Sequence, residues 1–216
     1  MTCPAKPVVI RVHYDFASSL CYVAHRAMAR IAHRFELRDD ASEPAHPPIR
    51  FRWSPLDLAG LLNWRRGAVV PEDRRANALR VARDLDVPVR VPRVWLDSRR
   101  VNAAAIVLAD RDPTGASEAA WRERVYTAIF EEGRSCDAPD EVARWARDLG
   151  VELAEDELEA AGDELERRTR EAAVATVTGV PTFMLAEWPM GGIQDDDTMV
   201  TLIRRFARRA RERGSA

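Results

Sequence analysis

Tyr14 to Ala24 reads YDFASSLCYVA, and its chemistry-bearing residues are Ser18, Ser19 and Cys21. A β-branched, alternating run, Val8 to His13, leads into this stretch and an amphipathic run leads out, so Ser18 to Cys21 fall at the first turn of a helix. The free N–H groups and partial positive charge of such a turn stabilise a thiolate, and a reactive thiol pair placed there reads Cys-x-x-Cys. Here the second cysteine is kept and the first is Ser18. A serine hydroxyl does not ionise at neutral pH by this route. It can donate a hydrogen bond to a thiolate brought in from outside, or act as a plain helix N-cap. Without a partner at position 18, Cys21 cannot close the usual disulfide. It reads as a small buried apolar side chain, with a monothiol role as the alternative.

The remaining candidates are sparse. Cys3, Cys21 and Cys136 are odd in number and widely spaced, which suits neither a disulfide framework nor a zinc cluster. Cys3 falls in the N-terminal tail and Cys136 in an interhelical loop. The four histidines, His13, His25, His33 and His46, show no metal spacing, so no metal is expected. Lys6 is the only lysine, which removes a catalytic amine from nearly the whole chain.

Several elements must hold these residues in place. Val8–His13 is a strand, and the helix after it carries Leu20, Ala24, Met28, Ile31 and Phe35 on one face. Asp39–Pro48 is a polar, proline-rich connection, and Ile49–Trp53 a second strand, parallel to the first in a βαβ unit. Helices are expected over 56–66, 72–86, 98–111, 117–132, 139–149 and 155–175. Ser117 and Asp137 offer side-chain caps, and Gly133 and Gly150 suit helix ends. Thr182–Leu185 reads as a strand, Glu187-Trp188 as a turn, and Pro189–Ile193 as an edge strand. A last helix, 196–211, starts with acids and ends with arginines. The four strands are expected in one sheet, with the helical block inserted after the second.

Asp15-Phe16-Ala17-Ser18-Ser19-Leu20-Cys21-Tyr22, a helical insertion, and Gly179-Val180-Pro181-Thr182-Phe183 resemble the DsbA-like branch of the thioredoxin fold. That branch includes DsbA oxidoreductases, kappa-class glutathione transferases and 2-hydroxychromene-2-carboxylate isomerases. Asp97-Ser98-Arg99-Arg100 and Glu131-Glu132-Gly133-Arg134 add two further matches, and the likeness covers nearly the whole chain. It implies an α/β thioredoxin fold (βαβ then ββα) over residues 1–55 and 176–216, with a helical insertion domain over 56–175. It also implies a cis bond at Val180-Pro181, where the Val180 backbone would pair with a ligand's peptide.

On this resemblance the chain is expected to be an enzyme that binds glutathione or another low-molecular-weight thiol. Ser18, with Cys21, would be catalytic, and Ser19, Val180, Pro181, Gln194 and Asp195 would hold the thiol. Phe16, Tyr22 and Trp53 would line the substrate pocket. Relatives place a lysine or asparagine after the second strand; this region has no lysine, and Asn63, Arg65 and Arg66 are the nearest candidates, with Asn63 assigned to the pocket. The reaction would be isomerisation of, or transfer to, an electrophilic aromatic or conjugated small molecule. The alternatives are a thiol-disulfide oxidoreductase using Cys21 alone and a non-catalytic binding protein that keeps the fold.

Bulk properties bound the rest. A chain of 216 residues, 46% hydrophobic and 31% charged, supports a packed core. A net charge of −2 gives no electrostatic case for nucleic acid or an anionic membrane. No apolar run reaches bilayer length and the N-terminus lacks a signal-like apolar core, so a cytoplasmic location is expected. The expected partner is a small-molecule substrate, with a homodimer compatible with the chain.

Overall fold

The computed structural model describes residues 7–36 and 49–214. Cys3, Lys6, His46 and the Asp39–Pro48 connection lie outside the described residues. The chain order is β1 (Val8–Tyr14), α1 (Ser19–Glu36), β2 (Ile49–Pro55), α2 (Leu58–Leu62), α3 (Glu72–Asp84), α4 (Arg99–Arg111), α5 (Ala116–Phe130), α6 (Pro139–Asp148), α7 (Glu155–Val174), β3 (Thr182–Leu185), β4 (Trp188–Gly191) and α8 (Asp196–Gly214).

The four strands form one sheet in the order β2-β1-β3-β4. β1 and β2 run parallel, from Val8 opposite Ile49 to Tyr14 opposite Pro55. β3 lies antiparallel to β1, with Phe183 opposite Val12, and β4 folds back on β3 as a hairpin. The expected single sheet and the helical block between β2 and β3 are both present. β1 is central, so Ile10, Val12 and Tyr14 are fully buried. α1 covers the sheet with Cys21, Ala24, Met28 and Ile31. α4 is buried from Val101 to Leu108 and packs against β2, α5, α6 and α7. One apolar core runs from β1 through α1 and α4 to Trp121 and Trp145.

Three expectations need correction. The helix expected over 56–66 is the single short turn Leu58–Leu62, because Asn63 turns left-handed (φ 53°) and closes it. The hairpin turn is Ala186-Glu187, not Glu187-Trp188. Ala186 takes the left-handed conformation (φ 59°), so Trp188 pairs with Leu185 and β4 starts one residue early. α5 and α6 are not capped by Ser117 or Asp137; their N-cap residues are Gly115 and Ala138. Asp112 holds the first turn of α5 instead, accepting the Ser117 N–H at 2.9 Å. Gly133 and Gly150 do sit at helix ends, both with positive φ.

His13 on β1 makes a testable consequence of this packing. It is only 6% exposed, and among the described residues its Nδ1 has no hydrogen-bond partner. Burial, reinforced by Arg11 and Arg168 and partly opposed by a backbone hydrogen bond at Ser54, lowers its pKa to about 4. The fold therefore prefers the neutral ring by roughly 3 kcal/mol. In the unfolded chain His13 takes up its proton near its ordinary value of 6.5, whereas the fold resists until about 4. Stability from this group is full above pH 6.5 and falls as pH drops towards 4. Denaturant melts should show that acid loss, and His13→Gln should flatten it. An equally steep acid limb in the variant would assign the loss to other groups.

Candidate functional site at the start of the first helix

Ser18 stands where β1 gives way to α1. Its N–H donates to the Asp15 carbonyl (3.1 Å), and its hydroxyl oxygen accepts from the Cys21 N–H (3.3 Å). Ser18 is thus an N-cap. This role does not use up the group, since a hydroxyl that accepts still has its own O–H to donate. The first helical bond runs from the Tyr22 N–H to the Ser18 carbonyl. The Ser19 and Leu20 N–H groups are therefore left without a helical carbonyl to reach.

Those groups open into a cavity of about 470 Å³. One wall is Ala17, Ser18, Ser19 and Leu20; another is Thr178, Gly179 and Val180. The Val180-Pro181 peptide bond is cis, and the Thr182 hydroxyl donates to the Gly179 carbonyl at 2.7 Å. The far wall comes from irregular chain. Residues 67–70 run against 93–95, joined by Gly67 N–H to Trp95 O (2.7 Å) and Trp95 N–H to Ala68 O (2.8 Å). This presents Trp64 and Trp95 stacked at 4.2 Å, with the Arg74 guanidinium 4.5 Å from the Trp64 ring. Asn77 of α3 completes that side.

A buried hub fixes the loop that carries Ser18. Asp15 is fully buried, and its carboxylate accepts from Ala17 N–H (2.7 Å), Leu58 N–H (2.6 Å) and the Ser98 hydroxyl (2.5 Å). Asn102 donates to Ser98 (3.3 Å) and to the Leu56 carbonyl (3.2 Å). Asp15 thereby joins the β1–α1 loop to the β2–α2 corner and to α4. Burial pushes its pKa up, and the Ser98, Ala17 and Leu58 donors pull against that shift.

Cys21 lies behind Ser18 and is fully buried. Burial pushes its pKa up to about 12, and the Ser18 hydroxyl only partly offsets this. A thiol so placed is neutral at physiological pH and closed to solvent.

The structure brings Ser18, Ser19 and Val180 together on the cavity, with Pro181 buried just behind Val180. It does not bring the other expected residues there. Phe16 and Tyr22 are core side chains, Phe16 packing edge-on against Tyr14 at 5.2 Å and Tyr22 stacking on Phe130 at 5.0 Å. Trp53 packs on Tyr14 (5.7 Å) beneath the Arg122 guanidinium (4.4 Å). Asn63 is an exposed helix-closing residue between two lining residues, Leu62 and Trp64. Gln194 and Asp195 are exposed at the start of α8, where the Asp195 carboxylate accepts the Thr198 N–H at 2.9 Å. Among the described residues no group of three or more His, Cys, Asp or Glu side chains is placed to hold a metal ion. Nor is any helix among them long and apolar enough to cross a membrane.

The family model of the DSBA-like thioredoxin domain matches residues 9–204. The chain belongs to that family. Solved structures similar to this DSBA-like chain include a 2-hydroxychromene-2-carboxylate isomerase, with TM-score 0.69, 22% identity, and 96% of this chain and 98% of that one covered. A probable DsbA oxidoreductase from Streptomyces coelicolor gives TM-score 0.67 at 19% identity, covering 92% and 89%. The cytosolic disulfide reductase DsbM from Pseudomonas aeruginosa, solved with GSH, gives 0.61 at 18%, covering 97% and 100%. At these identities the likeness is one of fold. No curated protein matches the chain by sequence.

Sequence reasoning passed over Asp15 as a positioning residue and missed the Trp64, Arg74 and Trp95 wall entirely. A signal for the hub existed. Asn102 is a polar residue inside the apolar run of α4, a pattern that calls for a buried partner.

Proposed function

We propose that this chain binds a small thiol such as glutathione at the start of α1 and uses it to isomerise, or to transfer it to, an electrophilic aromatic or conjugated small molecule in the cytoplasm. The observation that carries this reading is the division of labour between Ser18 and Cys21. Ser18 holds the attacking position and lines the cavity, whereas Cys21 is sealed behind it. The residues fit an anionic sulfur. The Ser18 O–H can donate, the Ser19 and Leu20 N–H groups have no hydrogen-bond partner among the described residues, and the helix end is positive. A bound thiolate supplies the nucleophile: it adds to the conjugated electrophile, and its elimination after bond rotation gives the isomer and regenerates the thiolate, whereas retention of the C–S bond gives the conjugate. Trp64 and Trp95 offer a flat apolar wall for such a substrate, and Arg74 a cation beside it. The DsbM structure, solved with GSH, supports a small thiol as the ligand.

Two assays test the reading together. Glutathione should raise the melting temperature, because a ligand that binds only the native state stabilises it. Disulfide reduction by the wild type should stay near background. Ser18→Cys, which creates a Cys-x-x-Cys pair at the helix start, should raise it well above background. Strong wild-type reductase activity that survives Ser18→Ala and disappears in Cys21→Ala would replace this reading with the oxidoreductase one.

A further inference from the structure

A second cavity, of about 510 Å³, lies between the β3–β4 hairpin and α8, away from Ser18. Its floor is Leu185, Leu202 and Phe206. At its rim stands Trp188, 79% exposed at the base of the Ala186-Glu187 turn. Leu202 and Phe206 are four residues apart on α8, as are Arg205 and Arg209, so the helix offers an apolar stripe beside a basic one. Glu187 completes the patch. Among the described residues Glu187 forms no ion pair with Arg205 or Arg209 within one chain.

The patch therefore holds a large apolar knob beside an apolar hole, and an acid beside two bases. Each half of it complements the other, which is what a two-fold contact between identical surfaces requires. We infer that this face docks a second copy of the chain. Trp188 of each copy fills the Leu185, Leu202 and Phe206 cleft of the other, and Glu187 of each meets Arg205 and Arg209 across the axis. An exposed tryptophan entering an apolar pocket is the kind of anchor that dominates protein interfaces. The contact is made by side chains and not by strand addition. Pro189 has no N–H, so it weakens β4 as a hydrogen-bonding edge.

Sedimentation equilibrium over micromolar to several hundred micromolar protein tests this. The wild type should dimerise. Trp188→Ser should raise the dimer dissociation constant by at least about 30-fold, as loss of an interface anchor does. Trp188 is exposed, so the variant should fold, which circular dichroism checks. Glu187→Arg alone should also weaken the dimer. Combining it with Arg205→Glu and Arg209→Glu should restore dimerisation, because opposite charges again face each other. A wild type that stays monomeric throughout overturns the inference and leaves the cleft to another partner. A dimer indifferent to Trp188→Ser and to charge reversal overturns it too, by placing the contact elsewhere.

Discussion

Asp15→Ala is expected to lower the stability of the fold by roughly 3–5 kcal/mol, a large part of what a domain of this size has. The Asp15 carboxylate is fully buried and accepts three hydrogen bonds, from Ala17, Leu58 and Ser98. Alanine would leave the Leu58 N–H and the Ser98 hydroxyl short of an acceptor in a water-excluded place, at about 1–3 kcal/mol each. Asp15→Asn should cost less, because the amide keeps one oxygen while its NH₂ confronts one of the three donors. The loss should be shared with Ser98→Ala, since both act on one hub. A double-mutant cycle should therefore show Asp15 and Ser98 to be strongly non-additive. Additive losses, or a change below about 1 kcal/mol for Asp15→Ala, would mean that the hub does not hold the site together.

The second large effect concerns Ser18. Removing one hydrogen bond to a charged group costs about 1.5–3 kcal/mol, so Ser18→Ala should weaken binding of the thiolate form of glutathione by about one to two orders of magnitude. Part of the loss will appear elsewhere, because Ser18 also caps α1 through the Cys21 N–H. A lost cap costs about 1 kcal/mol of fold stability, and it acts on the free protein as well as the complex. Calorimetric titration of wild type and variant, with melting curves of both free proteins, separates the two. Equal affinities with a lowered melting temperature would reduce Ser18 to its capping role.

The residues that spoke most clearly in the sequence were those under simple periodic constraint. Val8 to His13 alternates because Ile10 and Val12 face the core while Val9 and Arg11 face outward, and Thr182–Leu185 is bounded by proline and a turn, so both strands are legible. Ser18 was legible because a helix start after a strand is a chemically distinctive place. The far wall of the cavity was not. Trp64, Val70 and Trp95 sit on irregular segments held by backbone hydrogen bonds between residues distant in sequence, which leave no period to read. The hairpin turn was misplaced for a related reason. Ala186 adopts a left-handed conformation that glycine or asparagine would have announced and alanine does not. Phe16 and Tyr22 misled because a lone aromatic beside a site looks the same on paper whether it faces the cavity or the core.

The claim that Ser18 and the helix start ionise a bound thiol is tested most directly by ultraviolet absorbance of the thiolate, titrated with pH in the complexes of wild type and Ser18→Ala with glutathione. A donor that favours the charged sulfur lowers the pKa of the bound thiol, so removing it should raise that pKa by about 1–2 pH units. In the wild-type complex the thiol should ionise well below its value in free solution, and in the variant it should shift back towards that value. A bound thiol that titrates at the same pH in both proteins would contradict it.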